Sequence, residues 1–203
     1  MANVNDYDIG VFFDECARNG ALNSFSSDDE GKLETLLKSW GIRPGMRIVE
    51  PGCGSGRLTE RLAREVCPDG LVYAFDLSKE MIRRALARKL PPYVRFATGS
   101  VEKIPAQDSS FDIAICFSVF PHFSDPAAAL DELNRVLKPR GHLWINHLKD
   151  RAALNDMHRN VLHVTIAHEL PDEAAMRRLC ADHGFTVTEL FDSTEKGYSL
   201  HAI

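Results

Sequence analysis

Apolar residues follow two alternating patterns along this chain. Short continuous apolar runs, which are typical of strands covered on both faces, alternate with segments in which apolar residues recur every three or four positions, as in amphipathic helices. Predicted strands occupy residues 46–50, 71–76, 94–98, 111–117, 142–147, 185–191 and 198–203. Predicted helices begin near Asp28, Arg57, Lys79, Pro126 and Pro171. Strands and helices therefore alternate through most of the sequence.

This alternation predicts an α/β fold with a doubly wound, mostly parallel, seven-stranded sheet. Only residues 192–197 separate the last two strands, which suits a hairpin and an antiparallel last strand. We expect residues 29–203 to form the main domain and residues 1–28 a short helix and loop that pack on it or close over it as a lid. Residues 148–170 are long for a strand-to-helix connection, and we expect a substrate-facing insert there.

Composition narrows the class of protein. The formal net charge of −5 and the lack of a basic stripe argue against nucleic acid as a partner. The most apolar window, residues 111–123, is too short and too interrupted to span a membrane, and the first residues lack the pattern of a signal peptide. Five scattered cysteines without a C-x-x-C pair favour a reducing, cytoplasmic location over a disulfide framework.

The most informative segment joins the first predicted strand to the helix that follows it. Residues 48–56 read Ile-Val-Glu-Pro-Gly-Cys-Gly-Ser-Gly, so that an apolar run ends in Glu50 and glycines stand at every second position. Such a turn brings bare backbone N–H groups and a helix N-terminus up to a small ligand. Asp76 ends the second strand, 20 residues beyond Gly56 (76 − 56), where a carboxylate can accept hydrogen bonds from ribose hydroxyls.

Two cofactor classes use glycines and an acid at a strand end. Dinucleotide-binding proteins carry G-x-G-x-x-G, in which the third glycine allows close packing beneath a pyrophosphate. Here the spacing is G-x-G-x-G, and Glu50 would repel a pyrophosphate but suits a ligand that bears an ammonium and a sulfonium. S-adenosylmethionine is such a ligand.

Residues 30–203 resemble a small, free-standing class I S-adenosylmethionine-dependent methyltransferase, which has a Rossmann-like fold. Five motifs carry the resemblance, in order and at ordinary spacing: residues 50–56, 75–81, 99–105, 111–122 and 133–142. Any one of these motifs alone is weak, whereas the ordered set is specific.

The resemblance implies roles for individual residues. Gly52, Cys53 and Gly54 would pass under the methionine part of the cofactor, with Glu50 before them. Asp76 would hold the ribose.

At the adenine, the resemblance implies that Leu77 and Met81 pack near the ring and that Val101 offers backbone groups to its edge. Many relatives carry aspartate where this chain has Ser100, so that Glu102 would take over the bond to the adenine amino group.

At the methionine end, Phe117 and Ser118 would lie beneath the sulfonium, and backbone carbonyls or the Ser118 hydroxyl would accept from the amino group.

Two histidines are candidate catalytic residues. Methyl transfer from a sulfonium mainly requires alignment and exclusion of water, so a general base is optional. His122 follows the fourth predicted strand and either faces the acceptor or anchors the next helix; His147 ends the fifth and is either a base or substrate contact or a structural residue. His158, His163 and His168 recur every five residues, which brings them together on neither a helix nor a strand, so we predict no metal site.

These observations predict a methyltransferase that acts on a small molecule as a monomer or homodimer. The acceptor atom cannot be read from the sequence. A nicotinamide-dependent oxidoreductase is the first alternative, disfavoured by Glu50 and the glycine spacing. A non-catalytic module that keeps the cofactor fold as an interaction surface is the second.

Overall fold

The computed structural model describes residues 6–19, 24–161 and 169–203. The helices of these residues are α1 Asp6–Arg18, α2 Ser27–Ser39, α3 Arg57–Val66, α4 Lys79–Ala87, α5 Pro126–Val136, α6 Arg151–Val161 and α7 Glu173–Asp182. The strands are β1 Arg47–Pro51, β2 Leu71–Asp76, β3 Val94–Thr98, β4 Phe111–Phe117, β5 Leu137–His147, β6 Val187–Ser193 and β7 Gly197–Ala202. None of the helices described is both long and apolar enough to cross a membrane.

The seven strands form one sheet in the order β3-β2-β1-β4-β5-β7-β6. β1 to β5 pair in parallel, and β7 lies antiparallel between β5 and β6. The doubly wound, mostly parallel sheet with an antiparallel last strand is thereby confirmed. The strand order reverses between β1 and β4, which is the position where doubly wound folds bind ligands beyond the carboxyl ends of their strands.

Helices cover both faces of the sheet. On one face, α2 and α3 contribute Leu33 and Leu62 to a core that also holds Ile113 of β4. On the other, α5 and α7 contribute Leu133 and Met176. All five side chains are fully buried. Burial on both faces explains why β4 reads as a continuous apolar run rather than as an alternation.

Several element boundaries differ from those that the sequence predicted. Helix α2 is capped by Ser26, not Asp28: Ser26 Oγ accepts a hydrogen bond from the Asp29 N–H at 3.2 Å, and the Asp29 carboxylate accepts from the Ser26 N–H. This reciprocal capping box satisfies two backbone donors at once. β5 begins at Leu137 rather than at 142, because the predicted turn through Arg140 (φ 63°) is a bulge within the strand. β6 starts two residues later than predicted.

The predicted insert, residues 148–170, contains the unpredicted helix α6. Its buried side chains are Leu154, Asn155 and His158, two of which are polar. An apolar periodicity therefore cannot reveal this helix. Asn155 Nδ2 donates to the Leu170 carbonyl at 3.0 Å and its Oδ1 accepts from the Leu170 N–H at 2.8 Å, which fixes the helix to the chain that precedes α7.

Candidate functional site

The glycine turn lies at the carboxyl end of β1, next to the switch point. Gly52 and Gly54 have φ of 67° and 54°, a left-handed conformation that strains other residues. A Cβ on Gly52 would lie 2.2 Å from Val119 Cγ2, beyond the end of β4, whereas a Cβ on Gly54 would meet nothing within 4 Å. The turn thus packs tightly against the neighbouring strand end at Gly52 and presents bare backbone to open space at Gly54.

Asp76 ties this turn to the end of β2. Its carboxylate accepts hydrogen bonds from the Gly54 N–H and the Ser78 N–H, both at 2.8 Å. Ser78, not Asp76, caps α4 by accepting from the Met81 N–H at 3.0 Å. Burial raises the pKa of Asp76 to about 6, although the two N–H donors act in the opposite direction. The carboxylate oxygens retain capacity for further donors, such as ribose hydroxyls.

Glu50 is a second buried carboxyl group in the turn, only 2% exposed. Thr59 Oγ1 donates to its Oε2 at 2.7 Å. Burial raises the pKa of Glu50 to about 8, against the lowering effect of Thr59 and with a further increase from the charge of Asp76. A cation placed beside Glu50 would stabilise its ionised form, so the site favours a positively charged ligand group.

The residues predicted to contact the adenine line the same pocket as Asp76. Met81 and Val101 are buried there, and Ser100 Oγ donates a hydrogen bond to Glu102 Oε2. Glu102 also accepts from the Asp125 N–H at 3.3 Å. A carboxylate is therefore present beside Val101 although Ser100 replaces aspartate, which supports Glu102 as the acceptor for an adenine amino group.

One pocket collects all of the residues predicted to contact the cofactor. They are Glu50, Gly52, Cys53, Gly54, Asp76, Leu77, Met81, Ser100, Val101, Glu102, Phe117 and Ser118. At its methionine end Ser118 adopts φ 55° and donates its N–H to the Asn146 carbonyl at 2.8 Å, which ends β4 beside β5. Two buried carboxyls, a bare glycine turn and apolar walls fit the ribose, cationic centre and adenine of S-adenosylmethionine.

Helix α1 supplies pocket residues that the sequence did not identify, namely Ile9 and Phe13. Asp14 fixes this helix: its Oδ1 accepts from Ser78 Oγ at 2.5 Å and from the Glu80 N–H at 3.1 Å. The acid therefore binds the first turn of α4, where a negative charge is favourable. Aromatic residues among polar ones were the only sequence signal for this contact.

The two candidate catalytic histidines occupy different positions. His122 lines the pocket, and the Phe13 ring packs edge-on against its imidazole with centroids 5.1 Å apart. It does not cap α5, since Asp125 does so by accepting from the Ala127 and Ala128 N–H groups at 3.0 Å. His147 does not line the pocket and is 2% exposed.

His158 of α6, whose position the sequence did not predict, is a neighbour of both His147 and His122. Burial lowers the pKa of His147 to about 3, and His122 and His158 lower it further. The rings of His122 and His158 have centroids 5.1 Å apart. His163 and His168, the other members of the five-residue spacing, lie outside the described residues. Within the described ranges no group of three histidine, cysteine or acidic side chains could hold a metal ion.

Comparison with known proteins agrees with this geometry. A family model described as a methyltransferase domain matches residues 49–145. A 2-phytyl-1,4-naphtoquinone methyltransferase of Trichormus variabilis is 34% identical over 144 residues, covering 68% of this chain and 59% of that protein. An uncharacterized 37.1 kDa transposon protein of Streptomyces fradiae is 32% identical over 185 residues, covering 87% of this chain and 52% of that protein. The chain spans about half the length of the curated relatives it matches.

Solved structures show the same fold. A SAM-dependent methyltransferase from Aquifex aeolicus superposes with a TM-score of 0.67 at 24% identity, covering 98% of this chain and 96% of that one. The matched family region runs from β1 to β5 and contains the glycine turn, Asp76 and the end of β4. The chain therefore belongs to the class I S-adenosylmethionine-dependent methyltransferases.

Proposed function

We propose that this chain transfers a methyl group from S-adenosylmethionine to a small-molecule acceptor. The observation that carries the proposal is the pairing of Asp76 and Glu50 around one bare glycine turn, in a pocket whose wall includes His122. Bound S-adenosylmethionine would supply the activated methyl group. The residues of the chain bind, orient and desolvate the reacting groups, which is what an in-line displacement chiefly requires.

The two halves of the pocket bind different parts of the cofactor. Asp76 accepts hydrogen bonds from the ribose, and the adenine packs on Leu77 and Met81 beside Glu102. Glu50 supports the cationic methionine end above Gly52 and Gly54. Their burial strengthens these interactions, because water does not screen them.

His122 is the proposed catalytic residue on the acceptor side. It lies at the pocket wall, in the short turn Phe120–His122 just after Ser118, where the methionine end is expected. An imidazole nitrogen there can accept the proton of a hydroxyl, thiol or amine acceptor. Phe13 packs against the ring and holds its orientation. His147 is proposed to act through its neighbours and not by direct contact with the cofactor pocket.

Two segments are proposed to control access. Residues 1–28 would act as a lid, which is supported by Ile9 and Phe13 of α1 lining the pocket. Residues 148–170 would face the substrate, which is supported by the contact of His158 in α6 with His122. The remainder, residues 29–203, would form the methyltransferase domain.

The proposed setting is a cytoplasmic monomer or homodimer that handles small molecules and no nucleic acid. The net charge of −5 supports the exclusion of nucleic acid. The free state of all five cysteines supports a reducing compartment. Gel filtration with light scattering would determine the oligomeric state.

Calorimetric titration with S-adenosylmethionine, S-adenosylhomocysteine and NAD tests the choice of cofactor. We expect both adenosyl compounds to bind and NAD not to bind, because Glu50 opposes a pyrophosphate. Binding of NAD alone would refute the proposal and favour the oxidoreductase. Formation of S-adenosylhomocysteine on addition of a pooled metabolite extract would show turnover, whereas binding without turnover would favour the non-catalytic module.

A further inference from the structure

Four polar rings from four different elements meet next to the cofactor pocket; we call them the histidine cluster. They are His122 after β4, His147 of β5, His158 of α6 and Tyr198 of β7. The His122 and His158 centroids are 5.1 Å apart, and those of His147 and Tyr198 are 6.3 Å apart. A positive charge on His122 or His158 would lower the pKa of His147, so these two imidazoles lie within electrostatic range of it.

Three members of the cluster have unused hydrogen-bonding capacity within the part of the chain that the structure describes. His147, His158 and Tyr198 are 2%, 8% and 1% exposed. Among the described residues, both ring nitrogens of His147, Nδ1 of His158 and the Tyr198 hydroxyl are buried without a hydrogen-bond partner. Buried polar groups are nearly always paired, so several such atoms in one place indicate a group that binds between them.

The chemistry of the cluster restricts what can bind. Burial lowers the pKa of His147 and of His158, which favours their neutral forms, and the third buried member is a phenol. Burial also raises the pKa of Tyr198. Smaller contributions from Cys180, Asp192 and Glu173 raise this pKa further, and Arg151 lowers it. A buried carboxylate or ammonium would need an opposite charge, which the three buried rings do not supply. An uncharged hydroxyl, in contrast, can both donate to an imidazole and accept from Tyr198.

The cluster adjoins an apolar core to which Tyr198 itself belongs. Phe120 and Phe123 pack edge-on with centroids 5.4 Å apart, and both belong to the same buried core as Leu154 and Tyr198. Phe123, like His122, also lines the cofactor pocket, so the cluster and the pocket share a boundary. An aromatic or aliphatic body attached to the hydroxyl would lie against these side chains.

We propose that the histidine cluster is the binding site of the methyl acceptor and that this acceptor is an uncharged hydroxyl compound with an aromatic or apolar body. This inference rests on the proposed methyltransferase function. His122 faces the cofactor pocket, while His147, His158 and Tyr198 position the acceptor behind it. The three buried residues are positioning residues, since only His122 reaches the cofactor pocket.

Phenol, benzoate and benzylammonium are suitable probes, because they share one ring and differ in charge. With protein saturated by S-adenosylhomocysteine, we expect phenol to shift the imidazole NMR signals of His147 and His158, and the two charged probes to leave them unchanged. The signals of His142, which bonds to His201 elsewhere on the sheet, serve as the internal control. Equal shifts with benzoate, or none with phenol, would overturn the inference.

Variants of the cluster distinguish a role in binding phenol from a role in the stability of the fold. Tyr198→Phe removes only an unpaired hydroxyl, so we expect a protein at least as stable as the wild type that binds phenol about fivefold more weakly. His158→Phe should weaken phenol binding further, and His142→Phe should leave it unchanged. If Tyr198→Phe has a higher Tm than the wild type and binds phenol equally well, the cluster holds a structural water and not the acceptor, and the proposal is overturned. S-adenosylhomocysteine binding is measured separately: its loss would refute the proposed function itself.

Discussion

The cofactor pocket (the cofactor side) and the histidine cluster next to it (the proposed acceptor side) are built on opposite principles. On the cofactor side, Asp76 and Glu50 are buried but paired, with the Gly54 and Ser78 N–H groups and with the Thr59 hydroxyl. On the acceptor side, the polar atoms of His147 and His158 are buried and, within the described residues, largely unpaired. Pairing makes the first side rigid before any ligand arrives. Unpaired groups make the second side costly for the free protein and selective for what completes it.

The largest effect is expected within the cofactor side, where Gly52 packs against Val119 after β4. In Gly52→Ala the new Cβ would clash with Val119 in a backbone of φ 67°. Overpacking and left-handed strain together should lower the free energy of unfolding by about 3 kcal/mol, measured by urea denaturation. Gly31→Ala in α2 is the matched control, because its Cβ meets nothing within 4 Å, and it should be neutral or stabilising.

A double variant, Gly52→Ala with Val119→Ala, should recover part of the lost stability by removing the clash. The strain from the positive φ should persist. Full stability of the single variant would show that the turn does not pack against the end of β4 as described.

Asp76→Ala should remove the anchor of the cofactor side. Loss of charge-assisted bonds to the ribose, together with release of the Gly54 N–H, should weaken S-adenosylmethionine binding about 100-fold in calorimetry. Circular dichroism should remain that of the wild type. Asp69→Ala, in the exposed turn before β2, should bind normally. Unchanged affinity of Asp76→Ala would exclude this residue from the site.

The pH dependence of cofactor binding should report Glu50. Because the pKa of Glu50 is about 8 in the free protein, binding of a cationic ligand must release its proton, so affinity should rise by up to about tenfold from pH 6.5 to 7.5. Glu50→Gln keeps a carbonyl acceptor for Thr59 but does not titrate. Its pH profile should be flatter, and an identical slope in wild type and variant would contradict the role of Glu50.

The stability of the free protein should depend on pH in opposite ways on the two sides. The raised pKa of Glu50 means that the folded state holds a proton that the unfolded state loses, so this contribution falls as pH rises from about 4.5 to 8. The pKa of His147 is lowered to about 3, so its contribution is lost as pH falls below 6.5.

These contributions can be separated by urea denaturation between pH 5 and 8. Glu50→Gln should remove the first and His147→Phe the second, each on the order of 1 kcal/mol per pH unit. Identical profiles in all three proteins would show that neither group is buried as described.

The position of the site residues next to strand ends explains which parts of the cofactor site could be predicted from the sequence. The glycine turn, Asp76 and the residues near Ser100 and Phe117 each lie at the carboxyl end of a strand or directly after it. Parallel strands bring their carboxyl ends to one edge, so this pattern was sufficient to predict that Glu50, the glycine turn and Asp76 lie together. The other proposed cofactor contacts were predicted from the resemblance to the methyltransferase family, and they line the same pocket.

Contacts made by separate elements could not be predicted in this way. Ile9 and Phe13 reach the pocket because Asp14 binds the start of α4, an interaction across 64 residues of sequence between Asp14 and Ser78. Helix α6 was missed because its buried face carries Asn155 and His158. His147, predicted as either a base or substrate contact or a structural residue, is buried and does not line the cofactor pocket.

The sequence by itself determined the sheet, the glycine turn and the two carboxyls that bracket it, because these features depend on short-range patterns of glycine, charge and apolar residues. Only the tertiary structure decided that His122, His147, His158 and Tyr198 meet, since they come from four elements with no common spacing. The same packing left polar atoms of His147, His158 and Tyr198 buried, and that burial would give the proposed acceptor side its chemical selectivity.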